Sequence, residues 1–230
     1  MKKFFLLIFT SLFIFSCTNP KTVSSSPMAK VYYHYKTVEP YLCLTFDDGP
    51  DKVQTPKVLE ILKKYNAKAT FFVVGEEIEY QKSILKKVFN EGHDIGNHFY
   101  AHENINKLTE SQIKESIKKT NDLIYEVTNK KPKYVRPPYG IVNDKLKKVC
   151  GELGMDIIIW TDDKDSLDWK KTVDSVIINN LTKKVSNGDI FLFHDGNKTF
   201  TNTLSAIDVI IPTLQKKGYK FVSISTLLAP

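Results

Sequence analysis

The chain has 230 residues, of which 42% are hydrophobic and 26% charged, a balance that supports one folded domain and excludes disordered, collagen-like and disulfide-framework classes. Its three cysteines, Cys17, Cys43 and Cys150, form no CxxC pair and no Cys/His cluster, which argues against a cysteine-held metal. The formal charge of +7 is lysine charge, since every cation except Arg136 is Lys, and the lysines are spread over nearly every expected helix instead of one stripe. That distribution speaks against nucleic acid as a partner.

Lys2 and Lys3 precede an apolar run from Phe4 to Phe15, far short of the ~20 residues that span a bilayer as a helix. Residues 1–16 are therefore predicted to be a secretory signal. The run closes on Ile14-Phe15-Ser16-Cys17, which resembles the bacterial lipoprotein processing site. The resemblance implies a lipid on Cys17, a membrane partner through its acyl chains, and an exported protein facing the cell envelope or exterior. Plain secretion, with Cys17 a bystander, is the alternative. Residues 17–30 carry Pro20 and Pro27 and no apolar periodicity, so they read as a flexible tether, and residues 31–230 as one folded domain.

Short apolar runs bounded by turn residues predict strands at Tyr41–Phe46, Ala69–Val74, Asp94–Asn97, Tyr134–Arg136, Asp156–Trp160, Asp189–Phe193 and Tyr219–Ile224. Helical patterns lie between them at about 56–65, 83–90, 144–153, 173–184 and 204–217. The clearest helix opens at Thr109-Glu-Ser-Gln112, a capping-box spacing, and carries Ile113, Ile117, Ile124 and Val127 along one face. Repeated strand–helix alternation implies a parallel sheet curled into a closed or nearly closed α/β barrel, whose chemistry gathers at the strand C-terminal ends.

The chemistry-bearing residues fall at those ends. Asp47 and Asp48 close the first long strand just before Gly49-Pro50, and adjacent side chains converge only where a strand breaks. One metal ligand and one base is the functional reading; an Asp-Gly turn is the bland one. His98 and His102, four apart, would share one face of a helical turn. With one aspartate they make a two-His, one-carboxylate set that leaves coordination positions open. A ferrous oxygenase uses the same set but needs a cosubstrate site that the sequence does not suggest. His34 and His93 read as structural. Arg136, the lone guanidinium, suggests a planar bidentate contact with a carboxylate. His194, with an aspartate from a neighbouring loop, is a candidate acid; the runs Asp165–Asp168 and His194-Asp195 read otherwise as solvated loops.

In order, TFDDGP (45–50), NHFYAH (97–102), RPPYG (136–140), DSLDW (165–169) and LFH (192–194) resemble the five motifs of NodB-type polysaccharide deacetylases, carbohydrate esterase family 4. The likeness runs over about 40–228. It implies a distorted (β/α) barrel in which Asp48, His98 and His102 hold one divalent metal and Asp47 is the general base. Arg136 would pair with Asp47, His194 would be the general acid and Asp168 would tune it. Tyr139 would offer its N–H to the oxyanion, while Trp169 and Leu192 wall the acetyl pocket. Zinc suits this ligand set, and cobalt, nickel, manganese and ferrous iron tolerate it.

The implied reaction is removal of N-acetyl groups from an N-acetylglucosamine polymer: peptidoglycan, poly-N-acetylglucosamine or chitin oligomers. An acetylxylan esterase, or a carbohydrate-binding lipoprotein without catalysis, are the alternatives. Two departures stand out. Phe99 occupies the place of a Ser or Thr that steadies the metal loop, and the gap from Trp160 to DSLDW is two residues longer than usual, which leaves Asp163 and Asp165 as substitutes for Asp168.

Overall fold

The computed structural model describes Met1, residues 27–196 and residues 201–229. The expected signal from residue 2 onward, Cys17 and the tether up to residue 26 lie outside the described residues. Backbone contact with the domain begins at Ala29, whose N–H donates to Lys147 O at 2.9 Å. No helix among the described residues is long and apolar enough to cross a membrane.

The strands are β1 (Val31–Tyr32), β2 (Tyr41–Asp47), β3 (Ala69–Val73), β4 (Asp94–Asn97), β5 (Tyr134–Val135), β6 (Asp156–Ile158), β7 (Ile190–His194) and β8 (Lys220–Phe221). All pair in parallel, in the order β1-β6-β5-β4-β3-β2-β7 with β8 beside the start of β2. Helices α1 (Gln54–Lys64), α2 (Gly75–Asn90), α3 (Glu110–Thr128), α4 (Asp144–Glu152), α5 (Asp174–Thr182) and α6 (Thr201–Gln215) cover the outside. The sheet curls into a half-barrel. It is drawn nearly shut by the segment after β6, which bonds to β7 through Leu192 N–H to Lys164 O (2.9 Å) and Ser166 N–H to Leu192 O (3.1 Å).

Period-two alternation explains the two cores. On β2, Leu42, Leu44 and Phe46 pack outward beneath α1 and α6 with Phe71, Phe191 and Phe193. Cys43 points inward, meeting Phe72, Ile158 and Ile190, with Ile224 and Leu227 of a short helix α7 (Ile224–Leu227) plugging the barrel floor. Thr45 and Asp47 are the next inward positions of the same strand, so the interior passes from apolar at the floor to polar at the mouth. Both described cysteines, Cys43 and Cys150, are free and buried.

The elements depart from expectation in three places. Helix α2 starts at Gly75 instead of Ser83, because its first half is a polar stretch whose Glu76 and Glu77 suit a helix N-terminus but give no apolar rhythm. Gln81 (φ −126°, ψ 34°) joins that half to the expected one. The last strand is shortened to Lys220–Phe221 because Ile224, counted as strand, begins α7 and donates its N–H to Thr70 Oγ1 at 3.0 Å. Strand β1 is two residues long, too short to show a period. The capping box on α3 forms, with Gln112 N–H donating to Thr109 Oγ1 (3.3 Å) and Thr109 N–H to Gln112 Oε1 (2.9 Å).

Candidate metal and catalytic site

The mouth of the barrel opens into a cavity of ≈ 370 Å³ lined by Asp47, Asp48, His98, His102, Tyr139, Trp160, Asp165, Trp169, Leu192 and His194. Asp47 reaches it as the last inward side chain of β2. Asp48 reaches it because its backbone turns left-handed (φ 73°) where the strand ends, so two adjacent carboxylates converge. Gly196 makes room for this turn: a Cβ there would stand 2.4 Å from Asp48 Cβ.

His98 and His102 are brought together without a helix. They lie in the loop after β4, where Phe99 (φ 68°) and His102 (φ 52°) adopt left-handed backbone, and their rings meet edge to face at 5.1 Å. The helical-turn geometry expected from their spacing is thus replaced by a looped one. Phe99 contributes no side-chain hydrogen bond, as anticipated, but its ring is fully buried beside Ile105, Ile113 and Ile117, and its N–H donates to Asn97 Oδ1 at 2.8 Å. Tyr100 N–H donates to Ser116 Oγ at 2.8 Å. Apolar packing and neighbouring hydrogen bonds hold the loop.

Asp48 Oδ1 lies 3.4 Å from Nε2 of both histidines, and it is a buried oxygen without a hydrogen-bond partner. Ligands at ~2.0–2.1 Å around a tetrahedral ion stand about 3.3 Å apart, so the spacing fits a small divalent cation. His98 Nδ1 faces Arg136 O at 2.7 Å. That carbonyl can only accept, so Nδ1 carries the proton and Nε2 presents its lone pair to the ligand set. Burial works against charge on Asp48, yet the close approach of His98, followed by His194 and His102, holds its carboxyl well below the ordinary range. A carboxylate ready to bind a cation is the result. Among the described residues, Asp48, His98 and His102 are the one group with metal-site geometry.

Asp47 is held from below. Arg136, fully buried, donates from Nη1 to Asp47 Oδ1 (2.8 Å) and Thr45 Oγ1 (2.7 Å), from Nε to Ile158 O (3.1 Å) and from Nη2 to Ile159 O (3.0 Å). The contact is single-pronged, not the bidentate fork expected, because the other donors are taken by a hydroxyl and two carbonyls at the end of β6. Its guanidinium also lies 4.2 Å over the Phe72 ring. Asp47 Oδ2, left outside this clamp, stands 3.7 Å from His98 Nε2.

His194, at the end of β7, meets Asp168 through Nδ1 and Oδ1 at 2.7 Å, and its own N–H donates to Asp168 Oδ2 at 3.0 Å. Thr203 Oγ1 also donates to Oδ2, at 2.7 Å. The longer loop before DSLDW therefore leaves Asp168 in place. Asp163 instead pairs with the buried Lys164 (2.7 Å), and Asp165 forms the bridge to Leu192. Burial opposes a charge on the imidazole, but the Asp168 hydrogen bond and charge, with Asp47 and Asp48 behind them, outweigh it and raise His194 to about 9. The imidazolium thus persists through neutrality and is lost as pH rises past about 9. Asp168→Asn removes the largest raising influence, so the alkaline limb of the pH–rate profile is expected to fall from about 9 toward the ordinary histidine value of ~6.5. A variant profile that kept the wild-type limb would exclude this pairing as the source of the shift.

Two aspartate runs are not the solvated loops that the bland reading allowed: Asp168 is 2% and Asp195 1% exposed. Asp195 sits under the Asp48 turn, where it accepts Thr55 Oγ1 at 2.5 Å and its N–H donates to Asp47 O at 3.0 Å. Burial first, then Asp48 and Asp47, lift it to about 7 against the Thr55 bond. Thr45, Thr203 and Asp195 are supporting residues that motif spacing did not single out. Thr45 was accessible to alternation, as a polar inward position two before Asp47; Thr203 carried no signal. Tyr139 takes a left-handed backbone (φ 61°), and its ring packs edge-on against His102 at 4.8 Å. Trp169 is half-exposed and Leu192 buried on the cavity wall. His93 is structural as expected, accepting Ala69 N–H at Nδ1 (3.2 Å).

Residues 34–158 match the family model for polysaccharide deacetylase. The chain belongs to that family. A Bacillus cereus peptidoglycan-N-acetylglucosamine deacetylase is 36% identical over 206 residues, 88% of this chain and 94% of the relative. The crystal structure of the Bc1960 peptidoglycan N-acetylglucosamine deacetylase in complex with a hydroxamate-type benzamide superposes with a TM-score of 0.83 at 36% identity, covering 87% of this chain and 92% of that one. A family 4 acetyl xylan esterase from Clostridium thermocellum, in complex with a cobalt ion, gives 0.75 at 35% identity over 81% and 89%. The family's fold is the curled parallel half-barrel described above.

Proposed function

We propose that this polysaccharide deacetylase hydrolyses N-acetyl groups on N-acetylglucosamine units of peptidoglycan, with one divalent metal, from a lipid anchor on Cys17 at the cell envelope. The observation that carries the reading is the meeting, in one cavity, of a three-ligand cation set with an Arg136-clamped carboxylate and an Asp168-paired histidine. Sugar binding alone requires neither a base nor an acid, which disfavours a carbohydrate-binding protein without catalysis.

A divalent cation held by Asp48, His98 and His102 would supply Lewis-acid polarisation of the acetyl oxygen and a water acidified toward neutrality. Asp47, whose Oδ2 lies outside the Arg136 clamp, takes the proton of the attacking water. The Tyr139 N–H stabilises the developing oxyanion, a contact worth ~3–4 kcal/mol in the barrier. His194, cationic at neutral pH, protonates the departing glucosamine nitrogen, and Asp168 holds the ring for that transfer. Trp169 and Leu192 bound the space for the acetyl methyl. Two imidazoles and one carboxylate favour zinc, with cobalt, nickel, manganese and ferrous iron as alternatives. Peptidoglycan is chosen over poly-N-acetylglucosamine and chitin oligomers because of the likeness to the Bacillus cereus enzyme.

Acetate release measured on peptidoglycan, N-acetylglucosamine oligomers and acetylated xylan tests the reading. Release from peptidoglycan, abolished by chelator and restored by zinc, is expected. Release from xylan alone would favour the esterase, and no release from any polymer after metal add-back would overturn the assignment.

A further inference from the structure

Lysine is scattered along the chain, but the fold collects part of it. Because every strand runs the same way, the strand beginnings and the C-terminal ends of the returning helices share the face opposite the catalytic cavity. Lys63 stands in the last turn of α1, Lys68 just ahead of β3, and Lys130, Lys131 and Lys133 between α3 and β5. Two hollows, one lined by Lys63 and Lys68 and the other by Lys130, Lys131 and Lys133, adjoin at His93, so these five exposed side chains stand around neighbouring hollows on the same face.

Compensation of helix ends explains only part of this patch. Lys68 Nζ does cap Glu91 O at 2.6 Å, at the C-terminus of α2. Among the described residues, however, Lys63, Lys130, Lys131 and Lys133 have no hydrogen bond or ion pair at Nζ. Several lysines on the flanks of the barrel are neutralised, Lys64 by Asp208 (2.8 Å), Lys82 by Glu126 (2.6 Å), Lys114 by Glu152 (2.7 Å) and Lys148 by Glu110 (2.6 Å), whereas Lys57 and Lys118 stand singly on separate helices. The acids on the basic face are engaged, Asp94 accepting Ser225 N–H at 2.7 Å and Glu91 lying 3.9 Å from Lys87.

The chain also enters the domain on this side. Val31 opens β1 at the strand-beginning face, and the stretch from Cys17 to Pro27 reaches at most about 35 Å when extended. Unneutralised ammonium groups spread over one face, with an expected anchor within that reach, match a plane of negative charge.

We propose that this face docks on an anionic phospholipid surface and so turns the catalytic cavity toward the polymer. Each lysine near such a surface contributes about a five-fold gain in partitioning, and the effect acts without the lipid on Cys17. The full chain carrying Cys17→Ser is to be sedimented with phosphatidylglycerol and with phosphatidylcholine vesicles, the apolar segment 4–15 being common to every comparison. An excess on phosphatidylglycerol is expected, screened by 0.5 M salt. It should fall roughly 100-fold in Lys130→Gln/Lys131→Gln/Lys133→Gln and persist in Lys52→Gln/Lys107→Gln/Lys171→Gln, which alters the opposite face. Unchanged acetate release from a soluble oligomer by the first triple variant shows that it is folded. Equal binding to both lipids, equal loss in the two triple variants, or an excess reproduced undiminished on a soluble polyanion such as polyglycerol phosphate would overturn the proposal.

Discussion

Asp47→Asn is expected to lower turnover about 10³-fold, within the 10²–10⁴ range that a positioned general base contributes, while leaving the domain folded. The expectation follows from how the two carboxylate oxygens are used. Oδ1 accepts from Arg136 at 2.8 Å, and an asparagine oxygen can accept the same bond, so the clamp survives the substitution. Oδ2 is the oxygen available to a substrate water, and an amide nitrogen in its place cannot take a proton. Initial rates of acetate release, with thermal melting as the control for folding, provide the check. A variant retaining more than a tenth of wild-type turnover would remove Asp47 from the role of base.

Arg136→Met is expected to be the most damaging single change to the fold, costing about 3–5 kcal/mol. Four hydrogen bonds radiate from this fully buried guanidinium, to Asp47, Thr45, Ile158 O and Ile159 O. Removing it leaves a 3%-exposed carboxylate without its cation and two strand-end carbonyls without donors. In a domain of this size that loss lowers the melting temperature by roughly 10 °C. Lysine is a poor substitute, because one ammonium cannot reach acceptors spread over β2 and the end of β6. The double variant Asp47→Asn/Arg136→Met should recover part of the stability, since the stranded charge is then gone. A melting temperature within 2 °C of wild type for Arg136→Met would show that the clamp is not structural.

How much of this was readable beforehand depends on the distance over which each contact acts. Strand–helix alternation and the five motifs were enough to expect a curled parallel sheet and to nominate the residues that the barrel mouth brings together. The pairing of Asp168 with His194 was legible as a type of contact but not as a particular residue. A lengthened loop could have shifted Asp163 or Asp165 into that place, and only the bonds from Lys164 and Ser166 to β7 show how the loop is pinned. The route by which His98 and His102 meet differs from the one their spacing suggests. An i,i+4 spacing suggests a helix, whereas the left-handed backbone at Phe99 and His102 makes a loop do the same work. Arg136 stands out in the sequence by its rarity, but its four acceptors lie 22 to 91 residues away, and two are backbone carbonyls that no side-chain pattern reveals. The same holds for the basic face. Lysines that look evenly spread in one dimension become neighbours because parallel strands place all their beginnings together.

The most direct test of the site is metal content by plasma emission spectrometry on the full chain after dialysis against zinc and then buffer. One equivalent is expected in the wild type and in Asp47→Asn, and less than a tenth of an equivalent in His98→Ala, in which one of the two imidazoles facing Asp48 is gone. A full equivalent retained by His98→Ala, or zinc lost from Asp47→Asn alone, would contradict the division of the neighbouring aspartates into ligand and base.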